Sequence, residues 1–167
     1  MEAIFNRRSI RKYQDRPVEK EKIEKLLRAA MQAPSAANQQ PWEYIVVEEK
    51  ETLQKLADMC PYSKMTASAA VAFVAVANRD TIRFETAWQQ DMGASVENLL
   101  LEATDLDLGA VWLGVATAEA NAKYISELFG LPENIMPFAL IPVGYPDGQE
   151  NTFVDRYDSK KVHNEKW

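Results

Sequence analysis

Ala69-Ala70-Val71-Ala72-Phe73-Val74-Ala75-Val76 is an unbroken apolar run of strand length. A strand with one wet face alternates apolar and polar residues, so a run without alternation is covered on both faces and lies centrally in a sheet. Upstream, residues 50–59 read as a short charged helix, and Trp42-Glu43-Tyr44-Ile45-Val46-Val47 as a strand rich in aromatic and β-branched residues. Residues 17–33 carry Ile23, Leu26, Leu27, Ala30 and Met31 at helical spacing, with Pro17 placed for the first turn and Pro34 for the stop. Downstream, Trp88, Met92, Val96, Leu99, Leu100 and Ala103 share one face of residues 84–104, a helix of about five turns and the longest expected. Residues 109–115 read as a strand flanked by glycines, residues 118–129 as a helix ended by Gly130, and residues 135–144 as a further strand. Pro137 and Pro142 put the ends of that last strand in irregular structure or at an edge. Strands separated by more numerous helices indicate an α+β domain of three layers, with helices on both sides of the sheet.

The chain of 167 residues, 47% hydrophobic and 26% charged, suits a single domain spanning residues 1–167 with a substantial core. A net charge of -6 argues against nonspecific nucleic-acid binding, which needs many cations spread over one face. Cys60 and His163 are each alone, so neither a disulfide framework, a metal site nor a cysteine–histidine dyad is expected. The apolar runs at residues 67–77 and 138–143 are far shorter than a membrane span, and no apolar stretch follows Arg7-Arg8 as an export signal requires. A cytoplasmic protein is expected.

Against this acidic background, Arg7-Arg8-Ser9-Ile10-Arg11-Lys12-Tyr13 gathers four cations. Guanidinium forks fit phosphate oxygens and a nearby hydroxyl adds a short contact, so the block suits a phosphate cradle. A solvated basic arm is the ordinary alternative, but Ile4, Phe5, Ile10 and Tyr13 give the segment an apolar side with which to dock. Residues 34–41 form a polar, proline-bounded loop, and the tail at residues 149–167 is irregular with Phe153, Tyr157, Val162 and Trp167 as anchors that suit another subunit. A dinucleotide-binding glycine fingerprint, a P-loop and a serine nucleophile elbow are absent.

The basic block, the loop Ala33-Pro34-Ser35-Ala36-Ala37-Asn38-Gln39-Gln40-Pro41-Trp42 and the segment Gly109-Ala110-Val111-Trp112-Leu113-Gly114, in this order, resemble the nitroreductase family of FMN-dependent oxidoreductases. Glu97-Asn98-Leu99-Leu100-Leu101 also resembles part of that family's long central helix. The resemblance spans nearly the whole chain and implies a three-layer α-β-α fold, a mixed central sheet and a homodimer with FMN at the subunit interface. It implies that Arg7, Arg8 and Ser9 cradle the FMN phosphate and ribityl chain, and that Arg11 approaches the pyrimidine edge. Pro34, Ser35, Ala36 and Asn38 would reach the flavin from the partner subunit, while Leu113 and Gly114 pass their backbone beside the ring. Arg156 would add a phosphate contact, a part that Lys160 or Lys161 could equally take. Taken singly, Ser35 and Asn38 also suit capping and turn roles, and Trp112 a core role; their joint order distinguishes them.

The activity implied is transfer of hydride from NADH or NADPH through FMN to a nitroaromatic, quinone or similar acceptor, in a ping-pong cycle. No catalytic side chain is expected, because the cofactor carries the redox chemistry and the protein supplies position and electrostatics. A cation such as Arg11 beside the pyrimidine edge favours the negative charge of the reduced ring. The alternatives are specialised flavin chemistry on the same scaffold, such as dehalogenation or flavin fragmentation, and FMN binding or storage without turnover.

Overall fold

The computed structural model describes residues 2–167. Its helices are α1 (Glu2–Asn6), α2 (Lys20–Met31), α3 (Lys50–Ala57), α4 (Trp88–Asp105) and α5 (Glu119–Phe129). The strands are β1 (Trp42–Val47), β2 (Val71–Asn78), β3 (Gly109–Ala110), β4 (Leu113–Gly114) and β5 (Ile135–Gly144). They form one five-stranded sheet in the order β1-β2-β5-β3, with β4 also paired to β5. Every strand-to-strand ladder is antiparallel; the parallel element of the expected mixed sheet is the isolated bridge between Ser9 and Ala110.

The unbroken apolar run lies where its composition requires. Val71, Phe73, Ala75 and Ala77 of β2 join the core beneath α2 and α4, whereas Ala72, Val74 and Val76 join the opposite core beneath α3 and α5. Both faces are therefore dry, which gives the three layers. In α4, Met92, Val96 and Leu99 are fully buried. Burial of each such side chain contributes about 1.5–3 kcal/mol, which outweighs the ~1 kcal/mol that Gly93 costs the helix. Among the described residues, no helix is long and apolar enough to cross a membrane.

Four local expectations are corrected. Helix α2 starts at Lys20 rather than in the turn of Pro17, because Val18 is drawn into the core and the Glu19 carboxylate accepts the Tyr145 hydroxyl at 2.7 Å. The start of α4 moves from residue 84 to Trp88, because the Phe84 N–H is engaged by the Gln39 side chain. The strand at residues 109–115 divides into β3 and β4 around Val111 and Trp112. Finally, of the two alternatives for β5, the edge position is overturned and the irregular end is found: β5 lies between β2 and the β3/β4 pair, and Pro137 stands opposite Val76 beside a register shift that leaves Phe138 of β5 as the extra residue. A bulge accommodates the missing donor there.

Two glycines fasten the N-terminal block to this sheet. A Cβ on Gly109 would sit 2.5 Å from Ile10 Cγ2, and one on Gly144 would sit 3.1 Å from Tyr13 Cβ. Ile10 and Tyr13 occupy that space, both buried, and Ile10 N–H donates to the Ala110 carbonyl at 3.0 Å. The Tyr13 hydroxyl is within 2.6 Å of the Ile10 carbonyl and 3.2 Å of that of Pro142. Docking of the apolar side chains leaves Arg11 and Lys12 exposed and Arg7 and Arg8 half-buried.

Candidate functional site

The basic residues converge with the tail. Arg7, Arg8 and Arg156 line one cavity of about 280 Å³ together with Ile4, Phe5, Phe153 and Tyr157. Arg7 Nε is 3.3 Å from Glu97 Oε1 on α4. Arg8 N–H donates to Asn151 Oδ1 at 3.0 Å, its Nε to the Thr152 carbonyl at 2.6 Å, and its Nη2 to the Phe5 carbonyl. Arg8 thus joins α1 to the tail, and among the described residues its Nη1 donates to nothing. Desolvation, then the adjacent charges of Arg156 and Arg7, lower its pKa from the ordinary guanidinium value. An anion placed among these like charges would relieve their repulsion.

Ser9 sits at the parallel bridge to Ala110, which brings the basic block alongside the segment that leads to Leu113 and Gly114. Arg11 N–H donates to Gln149 Oε1 at 2.7 Å, and among the described residues its exposed guanidinium reaches only the Ser9 carbonyl, at 3.3 Å. In β4, Leu113 pairs with Leu140 and Gly114 with Ala139. Gly114 is exposed, and the Thr117 hydroxyl lies 2.7 Å from where a Cβ would stand. Here the absent side chain leaves backbone and hydroxyl close together at the surface.

The loop at residues 34–41 is a second cluster. Pro34 is exposed; Ser35 Oγ accepts from Gln40 N–H at 3.0 Å, and Asn38 Oδ1 accepts from Gln40 Nε2 at 2.9 Å. Ala37, Asn38 and Gln40 have φ of 47°, 55° and 45°, a region L-residues rarely occupy, and none of them is glycine. Ala36 N–H donates to Asp91 Oδ1 at 2.9 Å. Among the described residues, no hydrogen bond or ion pair joins Pro34, Ser35, Ala36 or Asn38 to Arg7, Arg8, Ser9 or Arg11.

The sequence reading missed the groups that hold these segments. Gln149 and Asn151 lie in an irregular tail with no periodicity to mark them, although Asn151 both accepts from Arg8 N–H and donates to the Leu108 carbonyl. Asp91 did carry a signal: with Ser95 it puts polar residues on the apolar stripe of α4, and both are buried. A polar residue on a core face needs a partner, and Asp91 finds one in Ala36 N–H and another in the Gln39 amide.

Comparison with known proteins bears on the family and the fold. The nitroreductase family model matches residues 4–145. An Archaeoglobus fulgidus protein provisionally named an NADH dehydrogenase/NAD(P)H nitroreductase is 42% identical, over 100% of this chain and 98% of its own. A Clostridium acetobutylicum crystal structure, provisionally named an NADH oxidase, has a TM-score of 0.97 at 53% identity and covers 99% of both chains. The structure of an FMN-dependent nitroreductase from Clostridium difficile R20291 has a TM-score of 0.91 at 33% identity, covering 99% of this chain and 98% of that one.

Proposed function

This chain belongs to the nitroreductase family, and from that premise we propose that it is an FMN-dependent oxidoreductase using NADH or NADPH to reduce a nitroaromatic, quinone or similar acceptor. The observation that carries the reading is the convergence of Arg7, Arg8 and Arg156 on one cavity in a chain of net charge -6. Those guanidiniums and the Ser9 hydroxyl fit a phosphate, and they would hold the FMN phosphate and ribityl chain. Arg11 would stand at the pyrimidine edge, supplying positive charge without a proton transfer. Leu113 and Gly114 would offer backbone beside the ring, with the Thr117 hydroxyl packed against Gly114 where a side chain would stand.

Pro34, Ser35, Ala36 and Asn38 would serve the partner subunit's FMN in a homodimer, consistent with their lack of polar contact to this chain's own basic block. When bound, FMN would supply the redox chemistry between nicotinamide and acceptor; Arg7, Arg8 and Ser9 would bind it and Arg11 would orient it. One small open site taking donor and acceptor in turn gives a ping-pong cycle, with no side chain as nucleophile or general base.

The test is an anaerobic titration of the FMN-reconstituted protein with NADH or NADPH, following the flavin absorption band. Stoichiometric bleaching, then parallel initial-rate lines with a quinone, is expected. Flavin that binds but is not bleached by either nucleotide would refute nicotinamide-driven reduction, and failure to bind flavin would refute the FMN assignment itself.

A further inference from the structure

Asp91 and Gln39 are both buried, at 5% exposure each, and their atoms form a chain of one-way hydrogen bonds. A carboxylate only accepts. Asp91 Oδ1 takes the Ala36 N–H at 2.9 Å, and Oδ2 takes Gln39 Nε2 at 2.5 Å. With its NH2 committed to Asp91, the Gln39 amide must turn its oxygen the other way. That oxygen accepts from Arg83 N–H at 2.9 Å and Phe84 N–H at 3.0 Å. Reversing the amide would set donors against donors at one end and oxygen against oxygen at the other.

These bonds join two pieces of backbone, the loop, which Ser35 and Asn38 also brace from within through Gln40, and the segment before α4. The loop contains three left-handed non-glycine residues, a geometry that persists only where surrounding bonds over-determine it. Residues 83–84 precede α4, where Phe84 is 53% exposed. We propose that Asp91 and Gln39 are positioning residues for flavin: their buried hydrogen-bond polarity sets the 34–38 loop in its binding shape and locks residues 83–84 to it. The inference rests on the FMN reading above, because it is the flavin that this loop would meet.

The argument makes a specific demand on substitutions. Asp91→Asn replaces one acceptor by a donor, so in either amide orientation Ala36 N–H or Gln39 loses its partner, and a flip of Gln39 only passes the fault to Arg83 and Phe84. Adding Gln39→Glu moves the carboxylate to the other side of the pair. Oδ1 of the new amide then accepts from Ala36, its NH2 donates to the new carboxylate, and the other carboxylate oxygen accepts from Arg83 and Phe84. Composition is almost unchanged and every bond regains its direction.

FMN dissociation constants from quenching of flavin fluorescence, with hydrogen exchange of the flavin-free proteins, would test this. D91N should weaken FMN roughly tenfold or more and speed exchange at Ala36, Arg83 and Phe84, and D91N/Q39E should recover to within about twofold of the original chain on both readouts. D91N that binds and exchanges like the original chain, or a double variant that melts normally without recovering, would overturn the proposal. If D91N fails to fold, D91N/Q39E alone decides: native melting with FMN binding supports the relay, and loss of either overturns it. Should the original chain itself not bind FMN, the functional reading fails, and positioning of the loop for flavin fails with it; exchange at the three amides then shows whether the hydrogen-bond chain survives as structure.

Discussion

At Arg7, a guanidinium that would meet phosphate already lies against Glu97, with side-chain exposures of 20% and 45%. A pair with one half-exposed partner is worth about 0–1 kcal/mol, whereas a charge-assisted bond to a doubly charged phosphate is worth about 1.5–3 kcal/mol. A phosphate bound there would therefore win Arg7 from Glu97, which lies 3.3 Å from it. Arg7→Ala should weaken FMN binding roughly ten- to hundredfold by equilibrium dialysis. Unchanged affinity would remove Arg7 from the cradle. Arg8 differs, because Thr152 and Phe5 already engage it, so its loss would also loosen the tail from α1.

Between elements, Tyr44 on β1, Ser95 on α4 and the Ala30 carbonyl at the end of α2 are linked at 2.6 Å and 2.8 Å. Ser95 donates to the carbonyl, so Tyr44 donates to Ser95. Burial pushes the Tyr44 hydroxyl up to about 12 from its ordinary value of 10.0. The folded state thus holds this proton more tightly than the unfolded state. Its contribution is complete below pH 10 and is lost as pH climbs from there to about 12. Unfolding free energies from urea titrations at rising pH should fall in the original chain by on the order of 2 kcal/mol more than in Tyr44→Phe. Some alkaline loss persists in that variant, since burial also raises Tyr13. Equal slopes would exclude Tyr44 as the source.

Element identity was legible because it follows from local patterns: the unbroken run at β2, the stripe on α4 and Gly130, which takes the left-handed cap of α5 at φ 59°. Pairing was less legible. Pro137 sits inside the sheet beside an irregularity of its own strand, where Phe138 is left out of the register with β2, and the local pattern does not say which strand stands opposite. The site divides in the same way. The residues proposed to meet a ligand stood out by type, whereas the partners of Asp91, Gln39 and Asn151, which hold backbone, are recognisable only once the fold brings them together.

Over the whole molecule, apolar surface gathers where the cations do. Phe5 and Phe153 are 58% and 62% exposed with ring centroids 6.3 Å apart, and Ile4, Val154 and Tyr157 are exposed around the same cavity. A patch of that kind suits a second copy of the chain. Phe153→Asp should shift the protein from dimer to monomer in sedimentation and weaken FMN at least roughly tenfold, since each site would lose the loop supplied across the interface. A dimer that persists with full flavin affinity would place the interface elsewhere. One consequence follows from the seat of Ile10 beneath Gly109, where the cation-bearing segment is fastened by a buried side chain rather than hung from the surface. The segment cannot peel away without opening the core, so a ligand gripped by its outward side chains presses on the folding equilibrium itself. By mass action, a supply of such a ligand would deepen the native state as its concentration rises above its dissociation constant.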